Sequence, residues 1–187
     1  MNGAASVPRI DTRRLALRGL TESDIAFLFQ HFSKREVNEF SSENDLTTID
    51  EAKELYAKYV APRSTLFRLG MVLKKTGELI GTLGFYGIDH ENARATVGFD
   101  LAKQYWGKGL MGEALGALLD YGFREMRLNR IEATVDPSNT RCLRVLGRCG
   151  FAREGVQRQK SYYKGAYHDD AIYSLLRSEW VAKQDAQ

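Results

Sequence analysis

Long apolar runs, paired cysteines and linkers are what this sequence lacks. No apolar stretch approaches the ~18 residues of a membrane-spanning helix. Met1 to Pro8 is small and polar, without the apolar centre of a secretory leader. Neither a spanning nor an exported chain is expected. The two cysteines, Cys142 and Cys149, are seven residues apart. On one helix that is about 10 Å along the axis, beyond the ~7 Å between Cα atoms that a disulfide tolerates. Two unpaired thiols suit a reducing compartment, so the cytoplasm is the expected location. Only three prolines occur, and no repeat, low-complexity tract or linker interrupts the chain. An excess of one charge is missing too. Against 27 Lys and Arg stand 24 Asp and Glu, a net +3, too mild to argue for nucleic acid from composition.

What is there suits one domain over residues 1–187, with about 9–181 as its ordered core and Met1–Val7 and Lys183–Gln187 as frayed tails. Leu15 and Leu17 alternate with Arg14 and Arg18 as a half-buried strand. Thr21 with Asp24, and Thr48 with Glu51, open two helices in the manner of capping boxes. The second helix runs to Pro62, and the polar stretch Phe40 to Thr47 between them could border a substrate site. Phe67–Leu73, Leu79–Tyr86 and Ala95–Leu101 follow as a meander of antiparallel strands. Gly109–Met126 has helical period, Asn129–Val135 is a strand, and Ser138 or Asn139 caps a helix that ends before Gly150. Phe151–Tyr163 and Tyr167–Leu176 close the chain as a hairpin. This order implies an α/β fold, a mixed and mostly antiparallel twisted sheet with helices on both faces.

Phe99 to Gly112 is the most informative segment. A strand leads into a loop whose glycines stand where a helix begins, and N–H groups there have no internal partner and carry the positive end of the helix dipole. A diphosphate fits such a site. Gly107-Lys-Gly109-Leu-Met-Gly112 also reads as G-x-G-x-x-G, with Glu132 twenty residues on. A dinucleotide fold fails because Ala102–Trp106 separate strand from glycines, Glu132 sits inside its strand, and too little chain follows. A P-loop fails because Gly109, not Ser or Thr, follows Lys108.

Gln104-Tyr-Trp-Gly107-Lys-Gly109 resembles the pyrophosphate motif Q/R-x-x-G-x-G/A of the GNAT acetyltransferases. Thr12–Arg18 with Thr21–Asp24 resembles the opening of that family's RimJ/RimL branch, which acetylates N-terminal amines of ribosomal proteins. Asn129–Glu132, Asn139, Cys149–Gly155, Asp169, Tyr173–Leu176 and Glu179-Trp180 extend the likeness over nearly the whole chain. The resemblance implies an acetyl-CoA-dependent N-acetyltransferase with a GNAT-type sheet and no metal. Backbone groups at Phe99 and Leu101 would meet the pantetheine arm, and amides from Gln104 through Gly107, Lys108, Gly109, Leu110 and Met111 would hold the pyrophosphate. Asn139 would bond the pantetheine or nearby CoA. Lys108 and the late arginines Arg141, Arg144, Arg148, Arg153 and Arg158 could face the phosphates.

Acid and base residues are less legible. Relatives often carry a Tyr where Leu146 stands, a Glu where Thr96 stands, a Ser at Cys142 and a carboxylate at Ser161. Cys142 is the candidate acid and Glu132 the candidate base. Asp169 is a further base candidate, with His168 as an outsider; Asp169 is also placed with Tyr86 and Tyr162 on the acceptor side, where Tyr163 could line the channel too. The expected partner is an amine, either a protein N-terminus or a small molecule such as a polyamine, with no nucleic acid and no membrane. A non-catalytic acyl-CoA sensor is the alternative. Monomer and homodimer stay open, an exposed final strand suiting the latter.

Overall fold

The computed structural model describes residues 8–41, 43–61 and 65–185. Met1–Val7, Ser42, Pro62 and the last two residues, which carry parts of the tail, loop and helix-end expectations, lie outside the described residues. From the N-terminus the elements are β1 (Ile10–Asp11), β2 (Leu15–Gly19), α1 (Ile25–Phe32), α2 (Arg35–Asn38), α3 (Ile49–Val60), β3 (Leu66–Leu73), β4 (Glu78–Asp89) and β5 (Arg94–Leu101). Then come α4 (Leu110–Arg124), β6 (Arg130–Val135), α5 (Thr140–Cys149), β7 (Ala152–Tyr163), β8 (Ala166–Leu176) and α6 (Arg177–Asp185). The eight strands form one sheet in the order β1-β2-β3-β4-β5-β6-β8-β7. Only β5 and β6 run parallel; every other neighbouring pair is antiparallel.

Local chemistry explains the starts and stops. Thr48 accepts from Glu51 N while the Glu51 carboxylate accepts from Thr48 N, so two otherwise orphaned groups at the start of α3 are satisfied. Thr21 and Asp24 form the same box, but the turn Glu22–Asp24 is 3-10 and α1 proper begins only at Ile25. Asn139, not Ser138, caps α5. At the other end of α5, Gly150 takes φ +96°, a left-handed helix stop.

Side-chain parity separates two faces of the sheet. Phe85, Val97 and Ile131 point one way and are buried under α4, where the Cβ of any residue replacing Gly122 would lie 2.9 Å from Phe85 and 3.1 Å from Ile131. Thr82, Gly98 and Asp100 point the other way, toward α1, whose His31 bonds Asp100. The core lies on the first face, around Phe85, Leu115, Leu118, Phe123 and Ile131, each 1% exposed or less.

Three expectations change. The final strand is not an edge: β8 returns between β6 and β7, and the exposed edge belongs to β7. Lys183–Asp185, expected within the C-terminal tail, continue the last helix. That helix, α6, is started by Glu179, which accepts from Leu176 N at 2.9 Å, and seated by Trp180 against Phe123 with ring centroids 6.2 Å apart. This helix was illegible because its apolar residues are few and do not form a stripe. The short α2 was likewise not expected; one turn of Arg-Glu-Val-Asn has no periodic signal.

Candidate active site

The parallel seam between β5 and β6 is short. Arg94, Ala95 and Thr96 pair with Arg130, Ile131 and Glu132, and beyond them the two strands share no further pairs. β5 continues beside β4 to Leu101, and β6 continues beside β8 to Val135. The strands therefore splay into a V that opens toward their C-terminal ends. Backbone groups on the inner sides of Val97–Leu101 and Ala133–Val135 are not engaged in a shared ladder, so an extended ligand can lie between them.

The loop leaving β5 closes the wide end of this V. It makes a 3-10 turn at Lys103–Tyr105, and the Trp106 indole N–H returns to Leu101 O at 2.7 Å. Gly107 and Gly109 take φ +74° and +72°, a region that L side chains enter only with strain. No side chain caps α4, because the residue at its start is Gly109. The first N–H groups of the helix thus face outward at the positive end of its dipole, an arrangement made for an anion. Around Gly107 and Gly112 even an added Cβ would meet nothing within 4 Å. Arg14 anchors the turn, donating to Lys108 O at 2.9 Å and to Glu113 on α4 at 2.6 Å.

On the α1 face, β5 is fixed by a buried ionic network. Asp100 accepts from His31 Nε2 (2.7 Å), Thr82 N (3.0 Å), Thr82 Oγ1 (2.5 Å) and an Arg68 guanidinium nitrogen (2.6 Å). A second Arg68 nitrogen holds Gly98 O at 3.0 Å. Burial would raise the Asp100 pKa, but the bonds and charges of His31, Arg68 and Thr82 outweigh it and bring it down to about 2. A side chain at Gly98 would stand 3.1 Å from both Arg68 and the Tyr86 ring, so glycine lets both lie across the strand.

The predicted residues fall into two groups around this V. Phe99 and Leu101 lie on the splayed arm of β5; Gln104, Gly107, Lys108 and Gly109 are exposed on the turn. Leu110 and Met111 bury their side chains, leaving their backbone N–H groups at the helix start. Asn139 spends its side-chain oxygen on Cys142 N at 3.1 Å, so its amide nitrogen is the group left to turn toward a ligand. Tyr86 and Glu132 share one face, each paired in register with Thr96 of β5, and Cys142 lies within electrostatic reach of the Tyr86 hydroxyl. Burial pushes the Tyr86 hydroxyl pKa up, opposed by the Arg68 charge, with Asp170, Cys142 and Glu132 adding to the rise.

Their individual states differ from the expected roles. Burial pushes the Cys142 thiol up to about 12, far above an ordinary thiol, which makes it a reluctant proton donor to a departing thiolate. Glu132 is bound to Arg130 at 2.7 Å. Tyr162 is 64% exposed and meets Tyr167 at 4.9 Å on the outer side of the hairpin. Asp169 accepts from Gln159 N at 2.8 Å, also away from Tyr86. Tyr163 instead faces inward, bonding Asp136 at 3.0 Å and stacking on His168 at 3.8 Å.

Sequence reasoning did not single out Arg68, Asp100, His31 or Asp170, and it expected Arg141 only to face the CoA phosphates. Arg141 lies over Trp106 at 4.4 Å and pairs with Glu39 at 3.0 Å, joining α5 to the turn and to the segment after α2. Lys164 also holds that segment, through Asn38 O. The available signal was strand alternation, which sets Asp100 opposite Phe99 and Leu101.

This fold and site have known counterparts. The family described as acetyltransferase (GNAT) domain matches residues 14–152. An uncharacterized N-acetyltransferase of Bacillus licheniformis, p20, is 37% identical over 172 residues, 91% of this chain and 97% of its own length. The Vibrio cholerae spermidine N-acetyltransferase, solved with CoA and spermine, superposes with a TM-score of 0.80 at 25% identity, covering 90% of this chain and 98% of that one. The fold is shared as well by RimL, a ribosomal L7/L12 alpha-N-protein acetyltransferase solved with CoA, at a TM-score of 0.85 and 24% identity over 92% of this chain and 99% of that one. With sheet, splay, turn and family match in agreement, this chain belongs to the GNAT acetyltransferase family.

Proposed function

We propose that this protein is a single-domain, cytoplasmic N-acetyltransferase that moves the acetyl group of acetyl-CoA to a primary amine, with a peptide or protein N-terminal α-amine as acceptor. The observation that carries the reading is the V between β5 and β6 with the uncapped start of α4 at its mouth. The residues present fit the donor. The N–H groups of Leu110 and Met111 and the turn Gln104–Gly109 would hold the diphosphate, Phe99 and Leu101 the pantetheine amides, and Asn139 the far side of the arm. Acetyl-CoA supplies an activated thioester.

The protein's share of the chemistry is to position and to polarise. A backbone N–H on the splayed arm of β5 would bond the thioester carbonyl oxygen as negative charge grows there. The ammonium gives one proton to water. Its nitrogen then forms the C–N bond as the C–S bond breaks, and the second proton leaves with sulfur as the CoA thiol. An α-amine, with a pKa of about 7.7–8.0, gives up its first proton far more readily than a lysine at about 10.4. That suits a site whose Cys142 thiol is pushed up by burial and whose Glu132 is engaged by Arg130, and fixing both reactants can supply much of the rate.

A polyamine acceptor is the second reading, favoured by 25% identity over 172 residues to a spermidine N(1)-acetyltransferase of Vibrio cholerae. One experiment separates the two. The protein is mixed with acetyl-CoA, peptides of varied N-terminus, internal-lysine peptides and polyamines, and products are read by mass spectrometry. Acetylation of peptide α-amines is expected. Acetylated spermidine would select the second reading, and CoA binding with no product would indicate a sensor.

A further inference from the structure

A primary amine arrives at neutral pH carrying a proton. A half-enclosed site that takes in this cation without an anion leaves it desolvated and unpaired. The carboxylates around the V differ in what they have left to offer. Asp100 is enclosed by His31, Arg68 and Thr82. Glu132 and Glu154 share Arg130, and Glu154 also accepts from Ser174. Asp136 accepts from Ser138 on one oxygen and from Tyr163 on the other, with His168 at 3.4 Å. Asp169 is turned outward to Gln159.

Asp170 is different. Ala171 pairs with Val135, the last residue of β6, so Asp170 stands one step beyond the strand end, at the mouth of the V. Alternation puts it on the same face as Ser174 and Glu132, which is the face of Tyr86, and the Tyr86 hydroxyl feels its charge. It is half-buried. Among the described residues its hydrogen bond is to Ser161 Oγ, at 2.8 Å on Oδ2, which orients the carboxylate and leaves Oδ1 uncommitted.

The geometry points to Asp170 as the residue that receives the cationic acceptor amine, positioned by Ser161. The assignment rests on the proposed acetyl transfer and names its acceptor class: amines that are protonated in solution. It places the ammonium across the V from the splayed arm of β5, where the thioester carbonyl would lie.

The test is steady-state kinetics of Asp170→Asn with whichever acceptor the wild type acetylates, with CoA affinity measured by calorimetry. Loss of one charge-assisted contact should raise the acceptor KM about tenfold or more while kcat changes far less. CoA affinity should stay within about twofold, and the salt dependence of the wild-type KM should flatten. Asp120→Asn, which removes an equal charge on α4 beside Arg124, should match the wild type. An unchanged KM in Asp170→Asn overturns the assignment. Should that variant not fold by thermal melting, Ser161→Ala takes its place: a KM raised about two- to fivefold supports the assignment and an unchanged one overturns it. A wild type that binds CoA but acetylates no amine overturns the transferase reading itself, and the assignment with it.

Discussion

Asp100 links three elements through one side chain, and its energetics follow from burial. Its carboxylate is about one-tenth exposed and neutralised by Arg68, with His31 and Thr82 filling the remaining positions. Removing the charge while leaving Arg68 in place strands a buried cation, a loss of ~3–5 kcal/mol by analogy with other broken buried pairs. Asp100→Asn should therefore melt well below the wild type at pH 7. The pH dependence has a definite sign. The folded pKa, about 2, lies below the 3.8 of a free Asp, so the stabilisation is complete above about pH 4 and is lost as pH falls through about 2. Melting curves of the two proteins should converge across that window. A gap that stays constant down to pH 2 would show that Asp100 is not the titrating group.

At the scale of the element, the turn from β5 into α4 carries the site, and its glycines are demanded by backbone angle more than by space. Gly107 and Gly109 both have φ above +70°, yet a Cβ on Gly107 would be free of neighbours and one on Gly109 would come only within 3.6 Å of Arg14. For a β-branched residue such as Gly109→Val, holding the left-handed angle costs about 1–3 kcal/mol, so the free turn leaves that region and must be strained back into it to bind. We expect calorimetry to show CoA binding weakened by tenfold or more, with little change in the melting temperature, since the turn can relax when no ligand is held. Unchanged affinity would sink the assignment of this turn to the diphosphate. This was also the element most legible in the sequence. Strand, glycine pair and helix period lie in one short window, and so do both capping boxes and the hairpin strands. What stayed hidden depends on distant partners. Asp170 matters because Ala171 meets Val135, and His31 because Asp100 lies beneath it, and neither contact leaves a local pattern. Cys142 and Glu132 were visible as candidates, but the burial of one and the Arg130 partner of the other follow only from the fold.

Over the whole molecule, a ligand seated in the V touches elements from both sides of the sheet and should stabilise the fold by mass action. At acetyl-CoA a hundredfold above its Kd, linkage gives about 2.7 kcal/mol, which for a chain of this size is a rise in Tm of roughly 5–10 °C. Thermal melting across a CoA titration checks this, and a flat Tm would argue against a preformed donor site. The same seam has a further consequence. β1 to β5 join in chain order as one meander, β6 to β8 form a second unit, and three residue pairs connect them along the sheet. The V is the gap between these two parts, and neither contains it alone. Cut within α4, the chain would yield two pieces, each with strands of its own and each inert. Turnover would return only on mixing, so complementation of the halves would report the moment at which the site comes into being.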